Sequence, residues 1–324
     1  MSSFKEIDLS GVKGVSVENR VSKVGSAQLG KPIDPDATVE RFLESLPDLL
    51  GAEGLKNLAA RVASARSEDR HVLWMIGGHV IKCGVGPHIV DLLSRGLVTG
   101  IAMNGAAAIH DFEVAMWGHT SEDVEEALGR GEFGMTEETA RLMNEAVSEG
   151  ESEGWGLGET LGRLLETEKP KHPEAGVLLA AWRAKVPATV HVAVGTDVIH
   201  QHPSLDPAAL GSATFTDFKV FAGCVSELEG GVVINAGSAV IMPEVFIKAY
   251  SIAVNLGRRP GGLTTANLDF IQHYRPTVNV LRRPVPPDGE SFALTGHHEI
   301  LIPLLACAIK LEARRKAGKR FEIK

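Results

Sequence analysis

His71–His79 reads HVLWMIGGH: an apolar run from Val72 to Ile76, then Gly77-Gly78, then a histidine. A strand apolar at every position, not every second one, belongs in a sheet covered on both faces. Glycine at its exit lets the backbone turn sharply or come close to a ligand. The same order returns as VTGIAMNG (Val98–Gly105), TVHVAVGTD (Thr189–Asp197), VVINAGS (Val232–Ser238) and SFALTGHHE (Ser291–Glu299), each followed by a helix-patterned stretch. Strand, glycine turn and helix in repetition predict an α/β fold: a doubly wound, mostly parallel, Rossmann-like sheet with helices on both faces. Ligands of such sheets bind beyond the carboxyl ends of the strands, where these glycines and histidines fall.

Working outward, leucine and valine at helical spacing around Pro47 predict two helices in Ala37–Ala65. Further helices are expected at Pro87–Arg95, Ala106–Trp117, Glu174–Lys185, Asp206–Leu228, Pro243–Leu256 and Ile300–Ala313, and a further strand at Leu263–Phe270. Thr120 is expected to open a helix, with Asp123 completing a capping box. Thr136–Thr167, acidic and broken by glycines, reads as a solvated helical excursion, and the proline-rich stretch from Ile271 to Gly289 as loop and edge. Residues 1–35, rich in Gly, Ser and Lys, read as an extended arm over the body or a neighbouring subunit. Residues 36–324 read as a single α/β nucleotide-binding-like domain, with no internal repeat.

The chain has 324 residues, 44% hydrophobic, enough for a large core. Its net charge of −8 argues against nucleic acid as a partner. The basic run Arg314–Lys319 suits the dipole at the end of the last helix. Three scattered cysteines form no disulfide framework or zinc pattern, which fits a reducing cytoplasm. The first residues lack the apolar core of a secretory signal, and no apolar stretch approaches the ~20 residues of a membrane span.

Four motifs could carry chemistry. Gly77-Gly78-His79, followed by Cys83, Gly84 and Gly86, could offer bare N–H groups to phosphates, although it fits neither the dinucleotide fingerprint nor the P-loop. Cys83, near the expected start of a helix, would have a lowered pKa. Asn104-Gly105 leads to His110-Asp111, a histidine beside a carboxylate, suited to acid–base chemistry or to a ribose hydroxyl; a buried structural histidine is the other reading. Asp197 precedes His200 and His202, whose spacing permits a metal but does not require one. His297-His298-Glu299 stands at the mouth of the last helix, where Glu299 could equally be a cap.

At these strand ends the chain resembles deoxyhypusine synthase and its bacterial relatives, distantly, from about Val72 to Lys310. Gly77-Gly78-His79 stands where that family has a cofactor turn, and Asn104-Gly105 with Ala108–Asp111 where it has a glycine turn and helix start. Its Asp-Gly-Ser segment looks like Pro203–Asp206 or like Gly195-Thr196-Asp197; its fourth-strand glycines look like Ala236–Ala239, and its Pro-Leu-Leu helix like Ile300–Leu305. The resemblance implies NAD, and tetramers with sites between subunits. It also implies oxidation of a polyamine, with an aminobutyl group passed through an imine on a lysine. That lysine is missing: none lies between Lys248 and Lys310, and Tyr274-Arg275-Pro276 is the nearest stand-in. Arginine stays protonated and forms no imine. Met242-Pro243-Glu244 replaces the family's histidine pair after the fourth strand.

The sequence therefore predicts an NAD-binding protein of deoxyhypusine synthase-like fold, an enzyme acting on a small molecule but not a deoxyhypusine synthase. It is expected to be a cytoplasmic homo-oligomer, dimer or tetramer, with no membrane and no metal. Gly77, Gly78, His79, Asn104, Gly105, Asp197, Gly237 and Ser238 are the expected cofactor contacts; His110, Asp111, His297 and Glu299 are the expected catalytic groups. Two alternatives are a metal-dependent hydrolase drawing on the His/Asp cluster and a non-catalytic ligand-binding or assembly protein.

Overall fold

The computed structural model of the protein describes residues 3–318. Met1, Ser2 and Lys319, the last of the basic run, lie outside the described residues. Six strands form one sheet: β1 Val72–Ile76, β2 Gly100–Asn104, β3 Ala188–His191, β4 Val232–Ala236, β5 Thr264–Asp269 and β6 Glu290–Thr295. Their order is β3-β2-β1-β4-β5-β6, with every neighbouring pair parallel. The chain starts in the middle, runs out to β3, and returns to the other side at β4. The winding therefore reverses between β1 and β4, where a parallel sheet opens a crevice for ligands.

The helices are α1 Val39–Ser45, α2 Leu50–Ser67, α3 Gly78–Lys82, α4 Gly86–Ser94, α5 Gly105–Trp117, α6 Val124–Gly129 and α7 Glu137–Ser152. They continue with α8 Leu157–Glu168, α9 Val177–Ala184, α10 Pro207–Ser226, α11 Ile241–Asn255, α12 Tyr274–Asn279 and α13 His298–Ala317. Strand alternation splits the interior. Val72, Trp74 and Ile76 enter a core shared with α2, α4, α5, α9 and α13, while Leu73 and Met75 enter one shared with α10 and α11. Each large apolar side chain buried this way contributes about 1.5–3 kcal/mol.

Five expectations are corrected. The helix expected at Thr120 starts at Val124, capped by Asp123, which accepts from the Glu126 N–H, so Thr120 is released for the site described below. The acidic excursion is packed: Ala140, Met143 and Val147 of α7, and Leu157, Leu161 and Leu165 of α8, are buried. These apolar positions recur every three or four residues, so one face is apolar although the composition is acidic. Within the proline-rich stretch a short helix, α12, forms. The strand expected over Thr189–Val194 stops at His191, and β2 starts at Gly100 rather than Val98. The arm is exposed nearly throughout and meets the body only near its end, where the Asp48 N–H bonds the Gln28 carbonyl at 3.0 Å and the Lys31 N–H bonds that of Ser45 at 2.9 Å.

Candidate functional site

The strand exits are laced together at the switch point. The Gly77 N–H donates to the Ala236 carbonyl at 2.9 Å, and a Cβ on Gly77 would lie 2.1 Å from the Gly237 carbonyl oxygen. Only glycine permits that approach. Ser238 is buried, and its hydroxyl accepts from the Met242 N–H at 3.2 Å, which sets the start of α11.

At the exit of β2, the Asn104 side chain caps α5 by accepting from the Ala107 N–H at 2.9 Å. Above it sits Asp197: a Cβ on Gly105 would be 1.9 Å from Asp197 Oδ2. Burial pushes the Asp197 carboxyl up to about 6. His200 Nδ1 accepts from the Gly195 and Asp197 N–H groups at 3.1 and 3.3 Å, so Nε2 carries the proton, 3.8 Å from Asp197 Oδ2. A carboxylate thus already covers the positive end of α5, where a phosphate was expected.

His110 and Asp111, adjacent on α5, do different things. Asp111 is fully buried and points away from the exits. It accepts from the Val177 and Leu178 N–H groups at 2.7 and 2.9 Å and so caps α9. Burial pushes its carboxyl up to about 7 against those bonds. His110 faces the β1 exit, its Cδ2 3.3 Å from where a Gly78 Cβ would be. Its Nδ1 lies 2.7 Å from Thr120 Oγ1. The Thr120 hydroxyl gives its one proton to Glu113 Oε2, and Thr139 donates to Glu113 Oε1 at 2.9 Å. Thr120 must therefore accept from a protonated Nδ1. The network assigns His110 the Nδ1–H tautomer and leaves the Nε2 lone pair free, with the ring's Cδ2 toward the β1 exit. Burial, aided by nearby Lys82, pushes His110 down to about 4, so the ring is neutral at pH 7.

His110 and Glu113 line a cavity of about 700 Å³ with Lys82, Trp117, Glu122 and Glu138. That volume suits a small organic ligand. A second cavity, of about 600 Å³, lies by Pro187 and Ala188 at the amino end of β3, the wrong end of the sheet for strand-exit chemistry.

The exits of β5 and β6 hold another group. His79 stacks obliquely near Phe270 and His298, with ring centroids 6.2 and 5.8 Å apart; Phe270 lies parallel to His297 at 6.3 Å. His298 is 1% exposed, and neither ring nitrogen has a hydrogen-bond partner among the described residues. Its Nε2 is 3.9 Å from Asp269 Oδ1 and 3.0 Å from where a Gly237 Cβ would stand. His297 and Glu299, 3.7 Å apart, are exposed at the rim. Cys83 is not activated: burial and then the Glu299 carboxylate push its thiol up.

The histidines do not all gather in one place: His79, His297 and His298 share the group around Phe270, and the others stand apart. His202 pairs with Glu137 at 2.9 Å, His200 faces Asp197, and His110 and His298 occupy separate places. Among the described residues no three His, Cys, Asp or Glu side chains are arranged to hold a metal. The lysine-free segment between β5 and β6 is pinned instead: Arg275 Nε and Asn279 Nδ2 both donate to Glu244 Oε1, at 3.1 and 3.0 Å. Sequence reading passed over Glu113 and Thr139, gave Thr120 only a helix-opening role, and left Lys82 and His298 inside motifs without a role of their own. Glu113 was readable, since residues three apart share a helix face.

No protein-family model and no curated protein sequence matches the chain. Solved structures do. AgrE, in a ternary complex with ornithine and NAD+, superposes with a TM-score of 0.52 and 17% identity over 80% of this chain and 33% of that one. A LOR/SDH-type protein from Methanococcus maripaludis S2 gives 0.50 and 15% over 88% and 72%. An Entamoeba histolytica protein assigned as a deoxyhypusine synthase gives 0.49 and 13% over 86% and 95%. The chain spans about a third of the length of AgrE. The likeness to these structures is one of fold, which is α/β, all-parallel and Rossmann-like. Among the described residues no helix is long and apolar enough to cross a membrane.

Proposed function

We propose that this chain is an enzyme that binds NAD across the carboxyl ends of its strands and acts on a small, amine-bearing molecule in the cavity beside α5. The observation that carries the reading is His110: a neutral imidazole beside the β1 exit, fixed by Thr120 and Glu113 in the tautomer that leaves its Nε2 lone pair free. A positioned neutral imidazole keeps a lone pair free to accept a proton at pH 7; with its pKa pushed down to about 4 it is a weak base, so it would act by position more than by basicity. Glu113, Glu122 and Glu138 make the cavity wall acidic, which favours an ammonium-bearing substrate. Fold likeness to AgrE, whose complex holds NAD+ and ornithine, supports the cofactor.

The residues fit the dinucleotide on one side of the switch point and not on the other. Asp197 covers the start of α5, so the diphosphate is excluded from Gly105 and Asn104. On the β4–β6 side stand the buried ring of His298, neither nitrogen hydrogen-bonded among the described residues, the Gly237 turn, and the parallel rings of Phe270 and His297, which would hold the diphosphate and a base. Bound NAD supplies a hydride acceptor. His110 would take the proton from the substrate, Glu113 and Thr120 would hold its ring, and the acidic wall would orient the amine. Without a lysine opposite, no imine transfer is expected, in keeping with the Arg275–Glu244 pair there.

Titration of NAD, followed through Trp117 in the cavity wall, tests the reading. Saturable quenching at sub-millimolar NAD is expected, and no binding at millimolar NAD overturns it.

A further inference from the structure

The two edges of the sheet are finished differently. At β3 the outward backbone is occupied: the Val190 N–H donates to Asp217 Oδ2 at 2.6 Å, and Thr214 Oγ1 donates to the Val190 carbonyl at 2.9 Å and accepts from the Val192 N–H at 3.3 Å. Asp217, otherwise an unexplained buried carboxylate, serves to close that edge. At β6 no described residue bonds the outward backbone in this way, although Gln272 Nε2 reaches Thr295 Oγ1 at 3.3 Å. Glu290 and Gly296 give their N–H groups to Leu263 and Asp269 of the β5 side, so Ser291, Ala293 and Thr295 turn their backbone outward. The side chains of those three are exposed as well. Ser291–Thr295 contains no charge and no proline, the usual guards of a free edge.

The arm is the reverse: from Ile7 to Val24 it carries exposed apolar side chains. Ile7, Leu9, Val12, Val15, Val17, Val21 and Val24 are each at least 55% exposed. Between Lys5 and Val24 the hydrogen bonds are local, such as the Val12 N–H to Leu9 at 3.1 Å and the Asn19 N–H to Ser16 at 3.0 Å. Val12, Val15 and Val17 fall within six residues, the length of β6. The root of the arm lies beside the open edge: it is tied to Ser45 and Asp48, just before α2, and Gly54 of α2 packs 3.1 Å (from its would-be Cβ) from Leu294 of β6.

We propose that two copies of this chain exchange arms, each laying the stretch around Val12–Val17 along the free edge of the other's β6 as an added strand. Backbone pairing satisfies the outward groups of Ser291, Ala293 and Thr295, and the valines flanking Ser16 cover the exposed face of β6. Because root and receptor share one side of the molecule, the exchange is reciprocal and closes on a two-fold axis, leaving no open chain of copies.

Sedimentation of the full chain at micromolar concentration is expected to show a dimer. Two full-length variants separate the partners. Val15→Asp/Val17→Asp alters only the exposed arm, and Ala293→Pro removes an outward N–H that the β5–β6 ladder does not use. Each is expected to weaken the dimer at least tenfold, with wild-type circular dichroism. A paired Val15→Cys and Ala293→Cys mixture is expected to form a disulfide between copies under mild oxidation; it serves also if Ala293→Pro fails to fold. A monomeric wild type, a dimer indifferent to the arm variant, or an arm-dependent dimer that neither responds at Ala293 nor cross-links there overturns the proposal.

Discussion

His110 and Asp111 differ by one position and by everything else. Successive helix residues point about 100° apart, so a His-Asp pair in sequence cannot act as a pair on a helix. The partner of His110 is Glu113, one turn on, with Thr120 between them. That the histidine stands near a strand exit was legible from its place after β2. That its carboxylate is not the neighbour follows only from helical geometry, and Thr120 was hidden behind a capping role that Asp123 fills. Nitrogen-15 spectra of the ring test the assignment: His110 should carry its proton on Nδ1 at pH 7 and stay neutral until the pH nears 4. Titration near 6.5, or an Nε2–H tautomer, contradicts it. Under the proposed function, Thr120→Val and Glu113→Gln should each lower turnover about 10- to 100-fold, less than loss of the base itself. They should also shift the pH profile, which a merely structural change would not do.

Strands and helices were read with unequal success, for physical reasons. β1 and β4 were legible to the residue because a strand covered on both faces is apolar throughout and glycine ends it. α7 and α8 were misjudged because glutamates dominate the composition while a narrow apolar stripe decides the packing. The cap that Asp111 gives α9 should be worth much of that helix. Asp111→Ala leaves two buried N–H groups without acceptors and should cost about 2–4 kcal/mol by urea denaturation, with Asp111→Asn losing less. The start of α5 offers a paired test. Gly105→Ala drives a methyl into the Asp197 carboxylate and should cost about 1–3 kcal/mol. Adding Asp197→Ala should restore most of it, and additive losses would show that the two do not meet.

The sheet as a whole places its glycine exits along one edge, as the sequence grammar implied, yet it does not leave them equally open. β1 and β4 meet backbone to backbone, and the exit of β2 is filled by Asp197, brought from a loop far along the chain. No local pattern announces such a filling, because it arises from a contact between segments distant in sequence. The same winding leaves β3 sealed by Asp217 and β6 bare, an asymmetry that only the assembled sheet reveals. What remains for a dinucleotide is the side of the switch point bounded by Gly237, His298 and Phe270, with His110 across β1 from it. A crystal structure of the protein grown with NAD tests this most directly. The account predicts dinucleotide density against Gly237 and His298, with the start of α5 still covered by Asp197. Density with the diphosphate at Gly105 and Asp197 displaced, or no cofactor at the strand exits at all, would contradict it.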